Sequence, residues 1–131
     1  MRFDYTTLDG SFERPYVQIR VGQGERSRRY QVLVDSGADI NVFSADLAKA
    51  LGLDLESGKP LTVRGATGES EIFYVHPVTV ALGDVTYKTT AAFADLPHLE
   101  LAGLAGHAGF FSEFYVEFDT QRGRFDLTPY K

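Results

Sequence analysis

Apolar and polar residues alternate with a period of two along most of the chain, the pattern of strands that bury one face and solvate the other. Val17, Ile19 and Val21 alternate with Tyr16, Gln18 and Arg20, which predicts a half-buried strand. The stretch Gly22 to Arg28 supplies glycines and charges for a turn. Arg29 to Asp35 then reads as a second strand, and its continuously apolar end, Val32-Leu33-Val34, is expected to be buried on both faces. Two further alternating runs, Val75 to Leu82 and Val85 to Phe93, flank the turn Gly83-Asp84. A last pair, Phe114 to Phe118 and Arg124 to Thr128, is joined by a turn containing Gly123. Helix is scarce. Ala45 to Leu51 is the best candidate, with Ser44 placed to cap its free amides, Asp46 near the positive end of its dipole, and Gly52 placed to end it. A short turn is predicted around Gly109 to Glu113. The chain shows no internal repeat, linker or low-complexity segment, so one hairpin-rich β domain is expected.

Composition adds exclusions. With 131 residues, 44% of them apolar, the chain is long enough for one sizeable core. There are no cysteines, which removes disulfides, a thiolate nucleophile and cysteine-based zinc sites. His76, His98 and His107 lack the HxxxH or HExxH spacing, so no metal is expected. The net charge is -5, and the one basic cluster, Arg26, Arg28 and Arg29, reads as a solvated loop, so no nucleic-acid partner is expected. The first ten residues carry charges and no apolar run, and no stretch approaches a membrane span, which leads to the expectation of a soluble, cytoplasmic protein without membrane contact. No serine sits in a G-x-S-x-G elbow, and no Lys-Ser/Thr follows the glycines of residues 103–109. Phe110, Phe111, Phe114, Tyr115 and Phe118 are expected to pack in the core.

The segment that carries chemistry is Val32-Leu33-Val34-Asp35-Ser36-Gly37-Ala38-Asp39. An apolar strand runs straight into an acid, a hydroxyl and a glycine. Gly37 permits a sharp turn and a close backbone approach, and Ser36 can hydrogen-bond backbone to stiffen that turn. Asp35 is thereby presented from a rigid platform. Two such carboxylates facing each other cannot both ionise, so they share a proton, one taking a proton from water while the other polarises a peptide group. An acid-Ser/Thr-Gly tripeptide alone is weak evidence, since it arises by chance in roughly one chain of this length in twenty. The buried strand before it, Ala38 and Asp39 after it, and the capped helix beyond give it weight.

With that context the sequence resembles the retropepsin-like aspartic peptidases, the family of retroviral proteases and their single-domain relatives. Asp35-Ser36-Gly37-Ala38-Asp39 is similar to their active-site loop. Leu104-Ala105-Gly106 stands where they carry two bulky residues and a glycine, here with Ala105 in place of a bulky residue and His107-Ala108 where polar or charged residues are common. Residues 63–70 match the position and composition of their flap.

The resemblance covers roughly residues 15 to 128. It implies an all-β fold: a small closed β-barrel of the retropepsin (acid protease) type with one short helix and a flap hairpin. It divides the chain into an N-terminal extension, 1–14, and a peptidase domain, 15–131. Asp35 would be the catalytic acid, Ser36 and Gly37 the support of the active-site loop, and Leu104, Ala105 and Gly106 a structural turn beneath it. Gly37, Ala38, Asp39, Gly65, Ala66, Thr67 and Gly68 would contact substrate. The implied activity is endopeptidase cleavage of an extended polypeptide by a homodimer, with no cofactor. The alternative is a catalytically silent peptide-binding or dimerisation module of the same fold.

Overall fold

The computed structural model describes residues 1–65 and 67–131. In chain order its strands are β1 (Arg2–Asp4), β2 (Tyr16–Gln23), β3 (Arg26–Val34), β4 (Val42–Ser44), β5 (Lys59–Arg64), β6 (Ser70–Leu82), β7 (Val85–Ala94), β8 (Gly103–Ala105), β9 (Phe114–Asp119) and β10 (Arg124–Pro129), with one helix, α1 (Ala45–Ala50).

Seven strands run in the order β2-β3-β8-β4-β7-β6-β5, and β2 also pairs with β6, so six of them close a barrel and β5 stands outside it. Closure depends on the length of β6. Its end pairs with β2 through Thr79, Val80 and Ala81, while its beginning, from Ser70 to Val75, pairs with β5 and leaves the barrel. The β2–β3 hairpin is antiparallel from Tyr16↔Leu33 to Gln23↔Arg26, and Val17, Ile19 and Val21 are buried as their alternation predicts. The expectation for Val32-Leu33-Val34 is corrected in part. Val32 and Val34 are buried, but Leu33 is half-buried, because its face of β3 points away from the core and is only partly covered.

Aromatic rings fill the barrel: Phe43 packs edge-on against Phe93 at 5.8 Å and against Tyr30 at 5.1 Å. Helix α1 begins where Ser44 Oγ accepts from the Asp46 amide at 3.1 Å, buries Leu47 and Ala48, and gives way to Gly52 at φ +74°. A separate three-stranded sheet, β1-β10-β9, packs Phe125 and Leu127 into the same core. In it Phe3 stacks on Phe125 at 5.4 Å and the Arg2 guanidinium meets Asp126 at 3.0 Å. Phe110 and Phe114 are buried as expected, whereas Tyr115 and Phe118 are 53% and 42% exposed. Both lie on β9, Tyr115 on the face opposite the buried Phe114 and Phe118 towards the strand's far end, so their burial expectation is corrected.

Tyr30 ties the barrel to α1, its hydroxyl oxygen accepting from the Ser44 amide at 2.9 Å. Burial pushes its hydroxyl up to about 12, and burial likewise raises the Tyr87 hydroxyl, which donates to the Gly109 carbonyl at 2.8 Å. Both groups hold their proton more tightly folded than unfolded. Their contribution is therefore complete below the ordinary tyrosine value of about 10 and is lost as pH rises through the folded values. Tyr30→Phe orphans the Ser44 amide and is expected to cost about 1–3 kcal/mol at neutral pH. Urea unfolding would measure that loss, and repeating it above pH ~10 should show a shallower alkaline decline in the variant than in wild type.

Candidate active site

Asp35 is the first residue past β3, and its backbone amide donates to the Ala105 carbonyl at 3.0 Å. The turn that follows is closed by Ala38 N–H to Asp35 O at 3.1 Å, and the Gly37 amide donates to the Asp35 carboxylate at Oδ1, 2.9 Å away. A Cβ at Gly37 would sit 3.2 Å from that oxygen, so only glycine leaves the carboxylate uncrowded. Asp35 is half-buried, while Ser36, Gly37 and Asp39 are exposed. The carboxylate thus stands at the lip of the barrel on a loop whose tip faces outward.

The segment read as a turn from sequence is extended. Leu104 and Ala105 belong to β8, which slots between the two strands that the Asp35 loop connects. It lies parallel to β3 through Leu33↔Leu104 and Val34↔Ala105, and antiparallel to β4 through Val42↔Leu104. Ala105, smaller than the residue usual in the resemblance, is buried and bonded to the loop. Gly106 follows, and beyond it the amides of His107 and Ala108 donate to Ala38 O and Asp39 O, each at 2.9 Å. Hydrogen-bonded turns then run through Phe110 to Phe114, where the short turn was predicted.

Two residues to which the sequence assigned no part in the site hold this crossing. Asn41, 1% exposed, accepts from the Gly106 amide at Oδ1 (3.1 Å) and donates from Nδ2 to Thr90 O (3.3 Å). Its own carbonyl accepts from the Ala92 amide at 2.9 Å, so one side chain and one peptide link the loop to β7 and β8. A polar residue between Ile40 and Val42 was the available signal. His107 is the second: its Nε2 lies 2.6 Å from the Ser36 carbonyl.

The hairpin of β5 and β6 carries the other candidate residues. Gly65 donates to Glu69 O at 2.8 Å, Gly68 donates to Gly65 O at 3.1 Å with φ +90°, and Thr67 and Gly68 are exposed. Ala66 lies outside the described residues. Between this hairpin and the Asp35 loop lies a cavity of about 610 Å³, bordered by Ala38 and Asp39 on the loop side and by Leu61, Thr62, Val63 and Arg64 of β5. Ile40, Val42, Phe73, Leu96 and Leu104 make most of its lining apolar, with His98 at its margin. A second cavity of about 550 Å³, bordered by Tyr87, Glu113 and Tyr130, contains none of the motif residues. Among the described residues no three His, Asp or Glu side chains are grouped to hold a metal ion.

The profile of the aspartyl protease family matches residues 17–107, from the first barrel strand to the residue after Gly106. The chain belongs to the aspartyl protease family. The family match therefore spans the Asp35 loop, the β5–β6 hairpin and β8, and leaves β1, β9 and β10 outside it. A retropepsin-like aspartic protease from Rickettsia conorii shares the fold with a TM-score of 0.70 and 20% identity, over 97% of this chain and 89% of that one. The EIAV protease in complex with the inhibitor HBY-793 matches with a TM-score of 0.55 and 22% identity, over 78% of this chain and 88% of that one. A search of curated proteins returns no match. At these identities the two structures establish a retropepsin-like barrel, in agreement with the family match.

Proposed function

We propose that this member of the aspartyl protease family is an endopeptidase acting as a homodimer, with Asp35 of each copy forming the catalytic pair. The observation that carries this reading is a single carboxylate fixed by the Gly37 amide on an outward-facing loop, in a chain with no second Asp-Thr/Ser-Gly. Two copies placed loop to loop would bring their carboxylates together about a two-fold axis, with Ser36 beside it. Such a pair holds one proton. The anionic member removes a proton from water, whose oxygen bonds to the scissile carbonyl carbon while the protonated member hydrogen-bonds the carbonyl oxygen. Collapse of the resulting diol breaks the C–N bond, and a proton passes to the leaving nitrogen.

An extended polypeptide would lie between Gly37, Ala38 and Asp39 below and Gly65 to Gly68 above, adding itself as a strand while the hairpin closes. The apolar cavity beneath β5 suits an apolar side chain. In this reading residues 15–131 are the peptidase domain and residues 1–14 an extension to it.

Hydrolysis of an unfolded protein, followed across pH and across enzyme dilution, tests the proposal. The expected result is cleavage favoured by mild acid, with specific activity falling on dilution as dimers separate. Absence of cleavage at every pH, under conditions where sedimentation shows a dimer, would instead assign the chain a silent, peptide-binding role.

A further inference from the structure

We propose that His107 is a positioning residue for the Asp35 carboxylate, acting through the Ser36–Gly37 peptide group. This inference rests on the enzymatic reading above but has a readout of its own.

A peptide group is planar, so the Ser36 carbonyl and the Gly37 amide turn as one unit. The two ends of that unit have different partners. Its N–H donates to Asp35 Oδ1 at 2.9 Å, and its C=O accepts from His107 Nε2 at 2.6 Å. A carbonyl only accepts, so Nε2 carries the proton in this contact. Tilting the Ser36 carbonyl would swing the Gly37 N–H off the carboxylate. Holding it also polarises the amide, which makes the Gly37 N–H a stronger donor to the charged form of Asp35.

The imidazole is anchored for this task. It stacks on Phe111 with centroids 4.8 Å apart and planes 25° apart, and Phe111 packs against the buried Phe110 at 6.2 Å. The backbone amide of His107 holds Ala38 O, so one residue grips the loop on both sides of Gly37. The loop that the ring touches carries Asp35 and Asp39, and its own turn carries Glu113; β9, which reaches it through Phe118 on Phe111, carries Glu117 and Asp119, the latter paired with Arg122. Nε2–H donates whether or not Nδ1 is protonated, so the contact persists through acid.

Two substitutions separate the hydrogen bond from the stack. His107→Ala removes both, and His107→Gln retains an N–H donor at similar reach. For the alanine variant the expected result is a fall in kcat of about 10- to 100-fold with KM within about twofold, and an acid limb of the pH–rate profile moved to higher pH. Glutamine is expected to restore most of the rate. Amide hydrogen exchange at Gly37, measured on dimers of all three proteins, should be fastest in the alanine variant. Should wild type cleave nothing, the enzymatic reading fails, and Gly37 exchange alone then decides the positioning role. Equal exchange and unchanged kinetics in His107→Ala would overturn the inference, and so would a glutamine variant as impaired as the alanine one, which would place the effect in the stack.

Discussion

Asp35→Asn is expected to reduce peptide-bond cleavage by at least ~10⁴-fold while leaving the fold intact. The substitution is nearly isosteric, and Oδ1 of the amide still accepts from Gly37 at the position the carboxylate uses. Because the side chain is half-buried at the lip, the change orphans no buried partner. On the proposed mechanism the substitution removes the acceptor for the proton of water, and in a symmetric dimer it would remove it twice. A loss of that size corresponds to about 5.5 kcal/mol of transition-state stabilisation. Unfolding free energy should stay within about 0.5 kcal/mol of wild type, since the substitution touches no core packing. Cleavage of an unfolded substrate by purified variant and wild type, alongside urea unfolding of both, gives the two numbers. Retention of activity in the variant would remove Asp35 from the chemistry.

The second large effect is one of stability. Gly106→Ala would place a methyl group 2.7 Å from the Ala38 carbonyl oxygen and 2.6 Å from the Ile40 carbonyl carbon, and closer still to the Ile40 oxygen. All three are backbone atoms of the segment that leads away from Asp35, so none can step aside by changing rotamer. Relief requires β8 to part from the loop, which strains the Gly106–Asn41 contact and the bonds from His107 and Ala108. The expected cost is about 3 kcal/mol or more, with loss of cleavage at temperatures where the variant is still folded. Gly123→Ala is the control. At φ +65° its methyl group would meet nothing within 4 Å, so only backbone strain of about 1 kcal/mol is expected. Urea midpoints of the two variants should differ accordingly. Near-equal midpoints would show that the crossing of β8 under the loop is looser than its contacts imply.

These two residues also mark what a sequence can reveal. Asp35 was readable because its platform is local: an apolar strand, an acid, a hydroxyl and a glycine in one run. The barrel strands were readable where one face is buried, as in Val17, Ile19 and Val21. β6 was recognised only from Val75 onward, since Ser70, Glu71 and Ile72 are exposed and carry no alternation of burial. β1, β4 and β8 have three residues each, too few to show a period. The insertion of β8 beside β3 is a long-range pairing that no local pattern encodes. Asn41 and the role of His107 at the loop escaped for the same reason, their partners lying 65 and 71 positions away in the chain.

The free side of β9 has a bearing on handling. Among the described residues β9 pairs on one side, which leaves amides and carbonyls on the other, and with Tyr115 and Phe118 exposed it offers a template for indiscriminate strand addition. Glu117 and Asp119 oppose this by charge repulsion, as gatekeepers along the strand. The overall charge of -5 adds a colloidal barrier that shrinks as acid protonates the carboxylates. Acid removes both protections together. Asp119 resists acid, because the hydrogen bond from Arg122 holds its carboxyl below the usual range. Turbidity in this protein should therefore rise on the same side of neutrality where its hydrolysis is sought, so light scattering followed beside cleavage tells a loss of soluble protein from a loss of catalysis.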